Sequence, residues 1–460
     1  MADKPSLDRL SREELIALVC EQQAQLSKLQ AEIERWKRSR RQAAPFSKEK
    51  PVANPKRPGR KKGQGPFARR RAPAGTPDVV VEASAPAGCP DCGGPLDQDG
   101  FEEASTTDLP EQPKPRVIAY RVAVCHCRVC GKKVRGSAPG LAAGQHGATA
   151  HRIGPGLMAA AHALHYSVGV PQRKVPLVLK ELTGASITQS ALTQDALRRA
   201  KGPVGEEYRR LRDGIRESPF VHTDDTGWRV GGKPAFLMGF ESGEAAVYQI
   251  RSQHRNEEVR EVIPSDYAGV MIADRGKSYD AEEFDHVDQQ KCLAHILRNI
   301  QDVVEVKQGW ARHFGLQAKG LFQEGLALWR ARQSLPEAEF TEKADALKER
   351  ITHHLRDRPL QDADNQKLLD GLGAQNDKGH LTRFLSEPFV EPTNNRAERM
   401  LRPAVIARKV SQCSKNQHGA HAFAAFASIA QTARKTGVAS VTAAFRAIFS
   451  ISTPVTAPVV

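Results

Sequence analysis

Three short stretches of the sequence carry acidic residues in contexts that suit metal binding. Asp224 and Asp225 lie in VHTDDTGWRV, Asp274 ends the apolar run of VMIADRGKSYD, and Glu398 lies in the helical pattern of EPTNNRAERM. Carboxylates from two strand ends and a later helix could converge on a pair of divalent cations, since hard cations prefer oxygen ligands and their charge keeps several carboxylates ionised. Two such ions activate a nucleophilic oxygen and stabilise the leaving oxygen of a phosphodiester. Each acid taken alone is more typical of a turn or a surface position.

The triplet Asp225-Thr226-Gly227 also spells the D-T-G of aspartic proteases. Such an enzyme needs two D-T-G loops whose carboxylates share a proton, and the chain supplies one, so a homodimer would have to supply the other. The neighbours Asp224 and Trp228 place a charge and a bulky ring where small or apolar residues are expected. Metal binding therefore explains these acids better than proteolysis does.

Five of the eight cysteines fall between residues 89 and 130. Two C-x-x-C pairs, each followed by glycine, supply Cys89, Cys92, Cys127 and Cys130. Four thiolates on two such loops form a closed tetrahedral Zn²⁺ site, which is structural and not catalytic. The clustering favours metal ligation in a reducing cytoplasm over a disulfide framework. The interval between the pairs is longer than in a usual zinc ribbon, and Cys125 and His126 are close enough in sequence to replace a ligand.

The net charge of +15 is concentrated in one segment. Between Arg35 and Arg71 the chain has fifteen Lys or Arg residues and one acid, so this segment alone carries +14. A basic segment of that density typically contacts nucleic-acid phosphates through counterion release, with a solvated linker or a membrane-surface patch as the alternative. The candidate phosphate contacts are Arg60, Lys61 and Lys62.

The composition is that of a soluble protein, with 26% charged and 40% hydrophobic residues among 460. No apolar run approaches the ~18 residues that suggest a membrane span. The N-terminal MADKPSLDRLSREEL lacks the apolar core of a signal peptide. We therefore expect a cytoplasmic protein of two to four domains that does not associate with membranes.

Residues 11–36 have the a/d spacing of a coiled coil. The seam positions are Leu15, Val19, Gln22, Leu26, Leu29, Ile33 and Trp36. About three heptads are marginal for a dimer, so a helix packed on its own chain is the alternative. Residues 170–200 contain two helical patterns around TGAS, where Gly184 marks a turn and Ser186 is a candidate N-cap. A helix-turn-helix and an ordinary helical hairpin fit this pattern equally.

Strand patterns follow in PFVHTDD, KPAFLMGFES, AAVYQIR and AGVMIAD, with the helical pattern NEEVREVI before the last. Three strands in series, then a helix and a fourth strand, indicate an α/β core with a mixed sheet. The predicted segments are 1–44 coiled-coil helix, 45–88 basic flexible linker, 89–137 zinc-binding module, 150–217 helical and helix-turn-helix-like DNA-binding region, 218–416 catalytic core with a helical insertion at about 295–390, and 417–460 C-terminal helical segment and tail.

The chain resembles the transposases of the insertion sequence 66 family, bacterial enzymes with a retroviral-integrase-like, RNase H-type catalytic core. The motifs that carry the resemblance are the N-terminal leucine helix, RPGRKKGQ, CPDCGG, CRVCG, HTDDTGWRV, ADRGKSYD, QKCLAHILRNI and PTNNRAERMLRPAVIARKVSQCSK. The last is long and specific, and the others fall in the right order along nearly the whole chain. The resemblance implies an RNase H-like α/β core with a large helical insertion, preceded by a coiled-coil helix, a zinc module and a helical DNA-binding region.

The resemblance also implies an Asp-Asp-Glu triad that binds Mg²⁺ or Mn²⁺, formed by Asp224, Asp274 and Glu398. Family members usually read D-E-T at the first site, and this chain reads D-D-T, so the first ligand is open between Asp224 and Asp225. We favour Asp224, because strand alternation places it on the same side as His222, whereas Asp225 is expected to begin the turn.

The interval from Asp274 to Glu398 is much longer than a minimal core of this type requires. The implied insertion at 295–390 is therefore expected to shape a channel for DNA. His295 and Arg298, beyond a fifth strand in HVDQQKCLAH, would face either the site and its phosphates or the packed and solvated parts of the insertion.

Basic residues follow the glutamate on its helix, and the candidate DNA contacts among them are Arg399 and Arg402. Arg402 lies one helical turn from Glu398, where it would either contact phosphate or pair with that acid.

The implied function is that of a DDE transposase, which binds the ends of an insertion element and catalyses metal-dependent strand cleavage and strand transfer. Its expected partners are the element's terminal repeats, target DNA and further copies of the chain, in the bacterial cytoplasm at the nucleoid. The need for accessory proteins of the same element is open. The alternatives are a catalytically silent DNA-binding regulator derived from a transposase and a nuclease for structured nucleic acid.

Overall fold

The computed structural model describes residues 114–450 except 143 and 148–149. It also describes 11–12, 16, 19–23, 25–27, 29–30, 79–81, 86–87 and 89–97. The chain divides into two compact units, Met1–Asp108 and Leu109–Val460. The predicted phosphate contacts Arg60, Lys61 and Lys62 and the C-terminal STPVTAPVV lie outside the described residues.

In the first unit, the described residues between 12 and 30 are helical and exposed. Of the predicted seam, Val19, Gln22, Leu26 and Leu29 lie on this helix, and their side chains face solvent within the unit. Leu15, Ile33 and Trp36 fall outside the described residues, so the coiled coil stays a prediction.

The second unit begins with a two-stranded antiparallel hairpin of β1 (Val124–His126) and β2 (Lys133–Arg135). Four helices follow: α1 Pro155–Tyr166, α2 Val175–Thr183, α3 Gln189–Lys201 and α4 Pro203–Arg216. Helix α2 ends at Gly184, which has a φ of +69°, as the sequence predicts for this turn. The N-cap of α3 is Thr188, whose Oγ1 accepts from the N–H of Ala191 at 3.1 Å. The prediction of Ser186 as N-cap is wrong, because the extended segment between the helices is longer by two residues.

A five-stranded mixed sheet forms the centre of the second unit. Its strands are β3 Phe220–Val230, β4 Lys233–Glu241, β5 Ala246–Arg251, β6 Val270–Ala273 and β7 Gln289–Lys291, with helix α5 Asn256–Arg260 between β5 and β6. The order across the sheet is β5-β4-β3-β6-β7. Strands β3, β4 and β5 are antiparallel neighbours, whereas β6 is parallel to β3 and β7 is parallel to β6. The predicted α/β core with a mixed sheet is confirmed.

Eight more helices follow the last strand. They are α6 Leu293–Glu305, α7 His313–Ala331, α8 Glu337–His354, α9 Ala363–Asp377, α10 Arg383–Ser386, α11 Asn395–Ser411, α12 Gln417–Lys435 and α13 Val441–Ser450. Short 3-10 turns lie at Gly309–Arg312 and Arg332–Ser334 among these helices, and at Glu282–Phe284 between β6 and β7. None of the helices within the described ranges is long and apolar enough to span a bilayer.

Three apolar clusters cover the two faces of the sheet. The first joins α1–α4, α12 and α13 to one face, through sheet residues such as Val221 and Phe240. The second joins α6–α10 to β6 through Val270 and Ile272. The third packs α11 and part of α12 on β4 and β5, around Tyr248. Helices α6–α10 lie between β7 and α11 in the sequence. They form a helical block that packs against β6.

Candidate active site

The paired aspartates lie inside a strand and not at its end. Strand β3 continues through both of them to Val230, and the turn to β4 is made by Gly231 and Gly232, which have φ values of +60° and +80°. Asp224 lies opposite Gly239 and Asp225 opposite Met238 of β4. The prediction that Asp225 begins the turn is therefore wrong, because the antiparallel ladder with β4 extends the strand.

Side chains alternate between the faces of a strand, so the two aspartates point in opposite directions. Trp228, on the Asp224 face, packs in the cluster with α11. Val221, on the Asp225 face, packs in the cluster with α1–α4. Asp224 therefore points toward the side of the sheet that is covered by the helix of Glu398.

Asp274 directly follows β6, the parallel neighbour of β3. The backbone N–H of Gly276 donates to Oδ1 of Asp274 at 2.8 Å, which fixes the carboxylate against the loop. A Cβ atom at Gly276 would lie 2.9 Å from the same oxygen and 3.3 Å from the ring of Tyr279. Glycine is thus needed at this position for the backbone to approach the carboxylate so closely.

Glu398 lies in the first turn of α11, and Asn394 joins that turn to β3. Asn394 is the N-cap residue of α11, but its side chain makes no capping bond. Its Nδ2 donates to the carbonyl oxygen of Thr223 at 2.7 Å, next to Asp224, and its Oδ1 accepts from Nδ1 of His222 at 3.2 Å. Asn394 is 1% exposed. A buried amide therefore holds the start of the Glu398 helix against the strand of Asp224.

Asn394 is also linked to the strand that precedes Asp274. The N–H of Asn394 donates to Sγ of Cys292 at 3.2 Å, and the N–H of Cys292 donates to the carbonyl oxygen of Ala273 at 2.8 Å. Ala273 directly precedes Asp274. Asn394 and Cys292 thus connect the three backbone segments that carry the candidate acids.

The electrostatics of Asp224 show that the other acids are near. Burial raises the pKa of Asp224 to about 7; the N–H of Asp225 opposes this shift, and the negative charges of Asp225, Asp274 and Glu398 add to it. Within the described parts of the chain, no group of three or more His, Cys, Asp or Glu side chains is close enough to hold a metal ion.

A histidine that the sequence reading did not single out contacts Asp225. Nδ1 of His254 lies 3.2 Å from Oδ1 of Asp225, and its Nε2 lies 3.4 Å from Oγ of Ser278. Burial raises the pKa of Asp225, and the proximity of His254 opposes that shift. No sequence spacing signals this contact, because His254 follows β5, two strands away.

A buried lysine anchors the far end of the Asp274 loop. Lys291, at the end of β7, is fully buried, and its Nζ lies 2.5 Å from Oδ1 of Asp280 and 2.7 Å from Oε1 of Gln289. Burial lowers the pKa of Lys291, while Asp280 and then Asp274 oppose the shift. The ion pair therefore secures the loop between Asp274 and Asp280.

The predicted basic residues near Glu398 lie on the surface. Arg399 and Arg402 are exposed. Among the described residues, no ion pair joins Arg402 to Glu398. His295 is half-buried with its Nδ1 unpartnered; burial and Arg298 lower its pKa, whereas Glu398 and Asp274 raise it. Arg298 is exposed.

The two cysteine loops have the same local geometry. In each, the N–H of the first cysteine donates to the carbonyl oxygen five residues on, at 2.9 Å for both Cys89 and Cys127. The glycine that follows each pair has a φ of +71° or +69°. Backbone N–H groups in the loops, that of Asp91 first for Cys89 and that of Cys130 first for Cys127, lower the pKa of these two thiols. Each loop alone therefore favours thiolates.

The part of the chain that contains the sheet, the acids and the covering helix matches a known family. A family model described as "Transposase IS66 family" matches residues 151–422, which is more than half of the chain. The chain belongs to the IS66 transposase family, a family of DDE transposases. The match runs from α1 to the start of α12 and includes all three candidate acids. No curated protein matches the chain.

Proposed function

We propose that the protein is a DNA transposase that binds the ends of an insertion element and catalyses metal-dependent strand cleavage and strand transfer. Asp224, Asp274 and Glu398 are the proposed metal ligands and catalytic acids. The observation that carries this proposal is the match of residues 151–422 to the IS66 transposase family, which includes all three acids. The hydrogen bonds of Asn394 and Cys292, which join the backbone segments of these acids, support it. Burial raises the pKa of Asp224 to about 7, with the negative charges of the other acids adding to the shift, and bound cations would offset that cost.

The donor set fits Mg²⁺ or Mn²⁺, because it consists of carboxylate oxygens and includes no thiolate. Bound divalent ions would supply activation of the attacking oxygen and stabilisation of the leaving oxygen. The choice of Asp224 over Asp225 is supported by the face of β3 that Asp224 shares with the Glu398 helix. Asp225 has a different partner, His254, at 3.2 Å.

The chain's own residues have three tasks in this proposal. Asn394 and Cys292 hold the backbone segments of the acids together, so that the carboxylates need no large movement before reaction. Gly276 and the Lys291–Asp280 pair fix the Asp274 loop. The exposed cations Arg399 and Arg402, on the Glu398 helix, would bind the phosphates that flank the reacting bond.

We further propose an RNase H-like core over 218–416 with the helical block at about 295–390 as its insertion. Three antiparallel strands followed by two parallel strands, with the third acid on a later helix, support this assignment. Residues 150–217 would bind DNA, helped by the 45–88 linker through Arg60, Lys61 and Lys62. Residues 1–44 would pair protomers, and 417–460 would complete the helical layer. The cellular location would be the bacterial cytoplasm at the nucleoid.

Structural Zn²⁺ binding is proposed for the 89–137 segment. Each cysteine loop by itself supports it, because a left-handed glycine and backbone N–H groups directed at the first thiol favour a thiolate. Removal of zinc by a chelator is expected to unfold this segment and to leave the five-stranded sheet folded.

The test is a cleavage and strand-transfer assay on DNA that carries the terminal repeat of the element, with Mg²⁺ and with EDTA. Metal-dependent nicking at the repeat boundary is expected for the wild type. Glu398→Gln should lower it at least about a hundredfold, which corresponds to about 2.7 kcal/mol of transition-state stabilisation. The matched control is Asp225→Asn, which changes a neighbouring acid on the opposite face of β3 and should retain measurable cleavage.

Binding without cleavage under every metal condition would contradict the transposase proposal and favour the DNA-binding regulator. Cleavage of structured DNA without any dependence on the repeat would favour a nuclease. Loss of cleavage in Asp225→Asn together with full activity in Asp224→Asn would reverse the assignment of the first ligand.

A further inference from the structure

The indole of Trp310 stands almost entirely in solvent. Its exposed fraction is 85%, the highest of any aromatic side chain in the described ranges, where Phe389 follows with 41%. Trp228, by comparison, is 4% exposed. An indole exposed to water lacks the favourable free energy that burial of its apolar surface would give. We therefore consider Trp310 as a contact for a ligand that would cover it.

The turn that carries Trp310 is fixed from within. It is the 3-10 turn Gly309–Arg312 between α6 and α7. Asn365, only 3% exposed, donates from Nδ2 to the carbonyl oxygen of Ala311 at 2.7 Å. The turn thus has a buried anchor one residue after the indole.

A second anchor holds the chain just before the turn. Nζ of Lys307 lies 2.8 Å from both Asp362 and Asp364. Trp310 is therefore presented on an ordered platform, which lowers the entropy lost when a ligand binds.

The surroundings of Trp310 favour an anionic partner. Asp362 and Asp364 take up the charge of Lys307, so the cation available beside the indole is Arg312. Arg312 is exposed, and the ring of His313 contacts the indole with the centroids 5.1 Å apart. A flat aromatic surface beside a cation is the combination that binds a nucleobase together with its phosphate.

Helix α6 connects this platform to the acids. The N–H of Cys292, one residue before α6, bonds to Ala273 beside Asp274, and α6 then extends for 13 residues. At 1.5 Å per residue this is about 20 Å, or roughly six steps of B-form DNA at 3.4 Å. Trp310 lies on the turn just beyond α6, the helix that starts beside the Asp274 strand.

We propose that Trp310 stacks on an unpaired base of the bound DNA, with Arg312 against the adjacent phosphate. This inference rests on the proposed function, since it needs DNA at the acidic site. It adds a binding position for a base that has left the duplex, on the turn that follows α6.

The test compares two labelled oligonucleotides with the full-length chain in buffer without added Mg²⁺ and without chelator, so that cleavage does not interfere and the proposed zinc is retained. One is a fork with an unpaired arm, and the other is a blunt duplex of the same sequence. Trp310→Ala should weaken binding of the fork about 5- to 100-fold, the range for loss of one stacked base, and leave binding of the duplex unchanged. Trp310→Phe should restore most of the fork affinity. The matched control is Leu316→Ala, which removes another exposed apolar side chain, 46% exposed, from the neighbouring helix α7.

Equal binding of the fork by wild type and Trp310→Ala would overturn this proposal alone. Equal losses on fork and duplex would also overturn it, since stacking on an unpaired base distinguishes the two. A changed oligomeric state in sedimentation, with unchanged fork binding, would instead assign Trp310 to a contact between copies of the chain. If the wild type bound neither DNA, the proposed function would fail as well.

Discussion

A charged carboxylate at Asp224 lowers the stability of the fold, and the same carboxylate is needed in the proposed metal site. Its pKa of about 7 lies above its ordinary value of 3.8, with burial as the first cause. The native state therefore holds a proton that the unfolded chain releases at lower pH. Stability falls as the pH rises from about 4 to about 7, and the full cost is present above pH 7.

Asp224→Asn is expected to stabilise the metal-free protein at pH 8 by roughly 2–4 kcal/mol, since one pKa unit is about 1.4 kcal/mol. The same change should abolish cleavage. Thermal unfolding in EDTA at pH 5 and at pH 8 measures the effect, which should be small at the lower pH. Added Mg²⁺ should stabilise the wild type and not the variant. A variant less stable than the wild type at pH 8 in EDTA would contradict the electrostatic account of Asp224.

Gly276 allows a test of the Asp274 loop. The Cβ of Gly276→Ala would lie 2.9 Å from Oδ1 of Asp274, so the carboxylate must move. A shift of this kind is expected to lower cleavage about 10- to 100-fold with little change in DNA binding. The measurement is the single-turnover cleavage rate at saturating protein.

The matched control for Gly276 is Gly214→Ala in α4, where a Cβ would meet no atom within 4 Å. Because alanine is the better helix former, this variant should be as active as the wild type and more stable by up to about 1 kcal/mol. Equal cleavage by both alanine variants would show that the Asp274 carboxylate tolerates the added methyl group.

At the scale of elements, the hydrogen bonds of Asn394 fix the start of α11 against β3, and with it the position of Glu398. Asn394→Ala would leave the carbonyl of Thr223 and Nδ1 of His222 buried without partners, at a cost of about 2–4 kcal/mol. Cleavage should fall together with stability, while binding of DNA ends persists at low temperature. Denaturant unfolding and the cleavage assay, run on the same preparations, measure both.

Asn395→Ala is the natural control for Asn394→Ala, because Asn395 is the next residue and is exposed. It should change stability by less than about 0.5 kcal/mol. Similar losses in the two variants would mean that the start of α11 tolerates neither change and that the buried amide has no special part.

Much of the element plan could be predicted, because period-2 and helical patterns are local properties of the sequence. The strands around Asp224 and Asp274, the turn at Gly184 and the helix of Glu398 all follow from such patterns. Long-range contacts have no such signal. Pairing with β4 places Asp225 inside a strand. The side chain of Asn394 bonds to Thr223 and does not cap its own helix.

The same limit applies to the candidate site. The three acids could be selected from their local contexts and from the family resemblance, but their support could not. His254 follows β5 and contacts Asp225, and Lys291 ends β7 and contacts Asp280; both contacts depend on the strand order, which has no local signal in the sequence. Packing at Gly239, where an added Cβ would approach Met400 within 2.4 Å, likewise appears only when α11 is in place.

At the scale of the whole molecule, the excess of basic residues lies in a different part of the sequence from the candidate acids. The segment from Arg35 to Arg71 carries +14, so the rest of the chain is close to neutral. Replacing Arg60, Lys61 and Lys62 together by Gln should reduce the slope of log affinity against log salt by up to about 3, at about 0.9 per lost phosphate contact. Equilibrium binding to duplex DNA between 50 and 200 mM salt, as a rough working range for such slopes, measures it.

Glu398→Gln is the reference for that measurement, because it should lose cleavage and keep the salt slope of the wild type. An unchanged slope in the triple variant would place the phosphate contacts elsewhere on the chain, and Arg399 and Arg402 would be the next residues to replace.

Helix α11 is both the carrier of the third acid and the cover of the sheet around Tyr248. The ribosome completes β3 and β6 long before it reaches this helix. A chain that stops early would therefore display a bare apolar sheet to the cell's proteases and would have no means of cutting a chromosome. Under the proposed function, a chain would gain the third acid and the cover of its sheet at the same point of translation, so shortened chains would be both inactive and open to proteolysis.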